Sequence, residues 1–126
     1  MRKEIKSKIK SFTDLYAWQE GHKLVLMVYK ETENFPEKEK FCLVSQMRRC
    51  AISITSNIAE GFSRSTNKDK YQFYSMAQGS LTELQNQLLI ARDVGYLKEK
   101  EFQKIAQQTI TVNKLINGLK RIKEKR

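Results

Sequence analysis

Apolar side chains along the chain recur every three or four residues, which is the period of one face of an α-helix. In the first such segment the recurring positions are Leu15, Trp18, His22, Val25, Val28 and Thr32. They predict a helix over about 15–33, with Thr13 or Asp14 as its N-cap. Pro36 then interrupts the pattern, because proline lacks the amide hydrogen that a helix interior needs.

A second helix is predicted over about 36–60. Proline suits the first position of a helix, which favours a start at Pro36. The apolar face of this helix consists of Phe41, Val44, Met47, Ala51, Ile54 and Ile58. Gly61 follows the last apolar position and is interpreted as a left-handed C-terminal cap.

The third and fourth segments have the clearest periodicity. A helix over about 67–94 begins after Thr66, whose spacing to Asp69 is typical of a capping box, and ends at Gly95. Its apolar face consists of Tyr71, Tyr74, Ala77, Leu81, Leu84, Leu88 and Ala91. A helix over about 98–123 completes the pattern. Its apolar face consists of Phe102, Ile105, Thr109, Val112, Ile116, Leu119 and Ile122.

The predicted fold class is all-α, an up-down-up-down antiparallel four-helix bundle over residues 11–123, preceded by a basic tail at residues 1–10. Connections of a few residues make sequential helices antiparallel neighbours. Composition agrees with this prediction, since 126 residues contain only five glycines and one proline. A sandwich or barrel would need many more turn residues.

Charge is distributed unevenly along the chain, which has 24 Lys and Arg, 14 Asp and Glu, and a net charge of +10. Residues 1–10 carry five bases and one acid, residues 114–126 carry six bases and one acid, and residues 61–70 add three bases and one acid. In the predicted bundle these three segments meet at one pole, which would carry about +11. The opposite pole, residues 30–40 and 92–104, sums to zero.

The basic pole is a candidate site for attraction to the phosphates of RNA or DNA. The candidate nucleic-acid-binding residues are Lys6, Lys8, Lys10, Arg64, Lys68, Lys70, Lys114, Lys120, Arg121 and Lys123. The alternative is that basic chain ends only increase solubility, and that cations in the last turn favour the helix dipole. Few aromatic residues accompany these segments, so contacts with the nucleic-acid backbone are favoured over base stacking.

A polar face runs beside the apolar faces of the second and third helices. Its members are Gln46, Arg49, Ser53, Asn57, Glu60, Ser80 and Glu83. In an antiparallel hairpin Arg49 lies level with Glu83, which predicts an ion pair between them. We interpret this face as a structural polar layer or a subunit contact.

Catalysis has no support in the sequence, and we expect no enzyme activity, no cofactor and no metal site. There is one histidine, no Cys-x-x-Cys pair and no glycine-rich phosphate loop. Cys42 and Cys50 are too far apart on one helix for a disulfide and are expected to be buried free thiols. The absence of a signal peptide or long apolar run predicts a cytoplasmic protein that does not enter a membrane.

Six short motifs resemble one bacterial four-helix-bundle family, that encoded in 23S ribosomal RNA intervening sequences. The motifs are Leu15-x-x-Trp18, Phe35-Pro36-x-x-Glu39, Leu43-x-x-Gln46-x-x-Arg49, Ser53-Ile54-x-x-Asn57-Ile58-Ala59-Glu60-Gly61, Ala77-x-Gly79-Ser80-x-x-Glu83-Leu84 and Gly95-Tyr96-Leu97. The resemblance covers about residues 9–120. The segment Asn57 to Gly61 is its most specific part.

That family is in turn similar to the accessory variability determinant of diversity-generating retroelements. The resemblance implies a basic homopentameric ring that is not an enzyme, contacts nucleic acid and has a reverse transcriptase as a possible partner. It does not assign any single base as a contact. The alternative function is a protein assembly scaffold without nucleic-acid binding.

Overall fold

A computed structural model describes the backbone of residues 9–124 and the side chains of residues 9–122. The four helices are α1 (Tyr16–Thr32), α2 (Leu43–Ser63), α3 (Asn67–Asp93) and α4 (Glu99–Glu124). Short 3-10 turns at Phe12–Asp14 and Glu37–Glu39 precede α1 and α2. No strand occurs within residues 9–124, and the predicted all-α class is therefore confirmed.

Each helix packs against its neighbour in sequence, and α1 also packs against α4 to close the bundle. The α1–α4 pairing includes two hydrogen bonds of 2.9 Å, in which Gln108 Nε2 donates to the backbone oxygen and the carboxylate of Glu20. This donation lowers the pKa of Glu20. The helices thus form the predicted up-down-up-down arrangement around one apolar core.

The buried face of α1 differs from the predicted one. The fully buried residues are Ala17, Gly21, Leu24, Val28 and Thr32. His22, a predicted core position, is exposed, and its ring stacks on that of Trp18 with centroids 4.7 Å apart. A Cβ on Gly21 would lie 3.1 Å from Thr55 Cγ2. The small residues face the core because they allow α1 and α2 to approach closely.

The entry to α1 is capped differently from the prediction. Ser11, and neither Thr13 nor Asp14, is an N-cap, and it caps the 3-10 turn at Phe12–Asp14. The carboxylate of Asp14 accepts the backbone amides of Lys10 at 2.9 Å and Ser11 at 3.1 Å. These two hydrogen bonds lower the pKa of Asp14. The capping box thus stabilises the turn that leads into α1.

The predicted start of α2 at Pro36 is wrong by seven residues, since α2 begins at Leu43. The carbonyl of Pro36 accepts the amide of Glu39 at 2.9 Å, which closes a 3-10 turn in place of an α-helical one. Phe41 lies between this turn and α2, so its side chain is 86% exposed and not in the core. Cys42, also ahead of α2, is exposed, and only Cys50 is a buried thiol as expected.

The predicted left-handed cap at Gly61 is also wrong, because α2 continues through Gly61 to Ser63. A Cβ on Gly61 would lie only 2.7 Å from Tyr74 Cε1 and 3.1 Å from Phe73 Cβ. Glycine at this position permits the close approach of α3. The positive φ belongs instead to Gly95, at 89°. The amide of Gly95 donates to the backbone carbonyl of Arg92, and the amide of Tyr96 donates to that of Ala91, so α3 ends in a Schellman motif.

Candidate nucleic-acid interface

Two contacts and one shared groove bring the helix ends together at the predicted basic pole. Lys70 near the start of α3 donates from Nζ to the carbonyl of Phe62 at the end of α2, at 2.6 Å. Lys120 near the end of α4 has its ammonium 4.9 Å from the ring centroid of Tyr71 in α3. Arg121 lines a groove together with Tyr16 at the start of α1. We refer to this end of the bundle as the basic pole.

Some of the candidate cations at the basic pole have partners within the protein. Lys70 donates to the carbonyls of Phe62 and Gly61, which lie near the negative end of the α2 dipole. Arg64 forms an ion pair of 2.9 Å with Glu60. Lys120 Nζ donates to Gln78 Oε1 at 2.7 Å. These three cations therefore have structural roles at the bundle end.

Four other candidate cations are exposed: Lys10, Lys68, Lys114 and Arg121. Among the residues whose side chains the structure describes, none of the four forms an ion pair. Lys114 and Arg121 are seven residues apart on α4 and so lie on one face of the helix. Lys6, Lys8 and Lys123 lie outside the residues with described side chains. The four exposed cations form the described part of the candidate phosphate-binding surface.

The predicted polar layer between α2 and α3 is only partly assembled. Ser53 Oγ and Ser80 Oγ share a hydrogen bond of 2.8 Å, and Asn57 Nδ2 donates to Ser53 Oγ at 3.1 Å. Gln46 is exposed and lies outside this cluster. The layer is therefore a cluster of three short polar side chains at the α2–α3 contact.

The predicted Arg49–Glu83 ion pair is wrong. Both side chains are exposed, and no ion pair joins them in the described part of the chain. Glu60, also assigned to the polar layer, instead pairs with Arg64 one turn further along. The helices are level near Ser53 and Ser80, but Glu83 lies near the Cys50 thiol and does not pair with Arg49.

A polar cluster that the sequence analysis missed joins α3 and α4 near the basic pole. Gln78 Nε2 donates to Asn113 Oδ1 at 2.9 Å and to Asn117 Oδ1 at 2.7 Å, while its Oε1 accepts Lys120. Asn113, Asn117 and Lys120 are four and three residues apart, which is helical spacing on one face of α4. That spacing is the signal that could have identified the cluster.

A groove of about 800 Å³ lies between the start of α1 and the end of α4. The residues that line it include Ile9, Tyr16, Leu115, Gly118, Arg121 and Ile122. Ile122, predicted as a core position, is 53% exposed at this groove. The apolar pattern at the end of α4 thus continues past the core and lines an open surface.

Within the described residues, no helix is both long and apolar enough to span a membrane. The structure also brings together no group of three potential metal-ligating side chains among these residues. Burial raises the pKa of the Cys50 thiol, which disfavours its reactive thiolate form.

These features define a four-helix bundle with one basic pole. The sequence model of the 23S rRNA-intervening sequence protein family matches residues 13–118. The chain therefore belongs to this family, as its motifs indicated.

A solved structure from Bacteroides thetaiotaomicron, a protein of unknown function from the S23 ribosomal protein family, has a similar fold. Its TM-score is 0.76 at 18% sequence identity, and the match covers 83% of this chain and 95% of that chain. At this identity the likeness shows the fold alone. Among curated proteins, none matches this chain.

Proposed function

We propose that this protein is a non-enzymatic, cytoplasmic nucleic-acid-binding module that contacts the phosphates of RNA, or of DNA, through its basic pole. The observation that supports this most directly is the exposed set of Lys10, Lys68 and Arg121 at one end of the bundle, with exposed Lys114 further along α4, while the other end has no net charge. Attraction of this kind depends on phosphates and not on base sequence.

Local helix stability does not explain the position of Lys68. Lys68 lies in the first turn of α3, and Lys10 precedes the turn that leads into α1. A cation near a helix N-terminus opposes the helix dipole. By contrast, Lys70 and Arg64 have partners that stabilise the bundle end. Lys68 is thus better explained by an external anion, whereas the charge of Lys10 lies near the carboxylate of Asp14.

The experiment compares two charge variants with the same number of changes. One replaces Lys10, Lys68, Lys114 and Arg121 with glutamine. The control replaces four exposed lysines near the opposite pole, whose charges sum to zero: Lys38, Lys98, Lys100 and Lys104. Fluorescence anisotropy with a structured RNA across a salt series measures affinity and its salt dependence.

We expect the basic-pole variant to bind less tightly and with a shallower salt dependence. The slope of log affinity against log salt concentration should fall by up to about 0.9 for each duplex phosphate contact that is lost. The control variant should bind like the wild type. Equal losses in both variants would show that only net charge matters, and wild-type binding that is absent or insensitive to salt would exclude the proposed function.

We also propose that the chain acts as a homo-oligomer, with a pentamer the form implied by the family resemblance. In its support, each helix exposes a large apolar side chain: Leu26, Ile52, Met76 and Ile110. Assembly would place several basic poles on one particle and increase affinity through multivalency. Light scattering tests this, since a mass near one 14.8 kDa protomer would refute it.

The same exposed apolar residues favour the second candidate function, a protein assembly scaffold without nucleic-acid binding. An oligomer that binds no RNA at any salt concentration would support it. A reverse transcriptase is a further proposed partner through the retroelement resemblance. Co-purification of the two proteins with and without nuclease treatment would separate direct contact from a shared nucleic acid.

A further inference from the structure

The groove at the basic pole has walls of two different chemical kinds. Tyr16 on the α1 side is 74% exposed, so its aromatic ring is available to a ligand and is not required by the core. Ile9, Leu115 and Ile122 supply apolar surface around it. The volume of about 800 Å³ falls within the range of roughly 300–1,000 Å³ typical of small-ligand sites.

Gly118 keeps the α4 side of this groove open. A Cβ at this position would meet no atom within 4 Å, so packing does not require a glycine here. Glycine in a helix interior also weakens the helix relative to alanine. Packing in the described bundle therefore does not account for this glycine, and its lack of a side chain leaves space in the groove between α1 and α4.

The charges around the groove complement a phosphate chain. Arg121 lines the groove, exposed Lys114 lies on the same face of α4, and exposed Lys10 follows Ile9. Asp14 is the acidic lining residue, and its carboxylate already accepts the backbone amides of Lys10 and Ser11. Cations thus flank an aromatic and apolar surface, which is the combination that binds single-stranded nucleic acid.

We propose that this groove binds an unpaired nucleobase of single-stranded or looped RNA, with the base stacked on Tyr16 and its phosphates near Arg121 and Lys114. This inference rests on the proposed function and adds a preference to it. Bases in a duplex are stacked on each other and cannot enter the groove. The protein should therefore distinguish unpaired from fully paired RNA.

The test uses the full chain with two probes of equal length, an unpaired oligoadenylate and a fully paired RNA duplex. Tyr16→Ala removes the stacking surface, and Gly118→Leu fills the groove from the α4 side. The matched controls lie outside the groove: Phe41→Ala removes another exposed aromatic ring, and Gly79→Leu adds a leucine at another open helical glycine. Circular dichroism checks that each variant remains folded.

Loss of one stacked base corresponds to roughly a 5- to 30-fold weaker affinity at the lower end of measured stacking contributions. We expect this loss for oligoadenylate with Tyr16→Ala and Gly118→Leu, little change with the two controls, and no change for the duplex with any variant. A 2-aminopurine base in the oligoadenylate should also lose its protein-dependent quenching with Tyr16→Ala.

Three results would overturn the inference, and they separate it from the proposed function. If both probes bind every variant equally in a salt-dependent way, the groove is not a base site but the basic pole still binds phosphates. If Tyr16→Ala weakens both probes by the same factor, its effect is not base recognition. If the wild type binds neither probe, the inference and the proposed function both fail.

Discussion

The contact between Gly61 and Tyr74 gives a sharp test of the packing between α2 and α3. In Gly61→Ala the new Cβ would lie 2.7 Å from Tyr74 Cε1 and 3.0 Å from Cδ1, closer than carbon atoms approach without displacement. Tyr74 is 1% exposed, so its ring has no open space to move into. Overpacking of this kind costs about 1–3 kcal/mol.

Helix propensity opposes this cost. Alanine in a helix interior is more favourable than glycine by about 0.5–1 kcal/mol. The net effect of Gly61→Ala should thus be a loss of up to about 2.5 kcal/mol in the free energy of unfolding, with a central value of about 1 kcal/mol. Urea denaturation followed by circular dichroism measures this difference directly.

Two other glycines provide matched controls for this substitution. A Cβ at Gly79 or at Gly118 would meet no atom within 4 Å, so Gly79→Ala and Gly118→Ala should each stabilise the protein by about 0.5–1 kcal/mol. In a Tyr74→Leu background the ring is absent and only the 3.1 Å contact with Phe73 Cβ remains, so Gly61→Ala should be less destabilising there. If Gly61→Ala gains as much stability as the two controls, the steric overlap with Tyr74 is refuted.

Three further predictions concern the polar layer and the core. Ser53→Ala removes the partner of Ser80 and should lower the free energy of unfolding by about 1 kcal/mol in urea, with part of the loss recovered in the Ser53→Ala/Ser80→Ala double variant. Arg49→Ala should change stability by less than about 0.5 kcal/mol, because its exposed side chain does not pair with Glu83; a larger loss would contradict this. Burial raises the pKa of Tyr74 to about 12, above its ordinary value of 10.0. The unfolded phenol therefore ionises first, and stability should fall as pH rises from 10 towards 12, more steeply in the wild type than in Tyr74→Phe.

The features that the sequence predicted well depend on local signals. In α3 the helix starts after Thr66, whose side chain accepts the amide of Asp69 at 3.1 Å, and ends at Gly95 with its positive φ. Both signals involve residues a few positions apart. The six consecutive core positions from Tyr74 to Ala91 follow from the helical period, since no proline or loop interrupts them.

The predictions were wrong where packing against a neighbouring helix determines the buried face of a helix or the role of a glycine. Ala17 and Gly21 contribute little to a hydrophobic pattern, yet they define the buried face of α1 because they permit close approach to α2. Gly61 has the residue type of a cap, but the ring of Tyr74 on the next helix explains it better. Close approach between helices is a property of two surfaces, and one segment alone does not reveal it.

In the candidate site, too, the location of the segments was predictable from the sequence and the side-chain contacts were not. The topology of the bundle follows from the connection lengths, so the location of the basic segments at one pole was predictable. Which of these cations have hydrogen-bond partners within the protein was not predictable. Lys70 reaches the carbonyl of Phe62, and Lys120 reaches Gln78 from 42 positions away in the sequence. Such contacts depend on side-chain reach across the bundle, which charge counts do not contain.

The pairing of α1 with α4 also bears on how the bundle folds and opens. The other three helix pairs are neighbours in sequence, whereas Gln108 and Glu20 are 88 positions apart. Closing so long a loop carries the largest entropic cost, so this pairing should form late and separate first in local unfolding. A ligand that contacts both walls of the groove would act as a noncovalent cross-link between the first and last helices, and binding there would suppress the opening of the bundle.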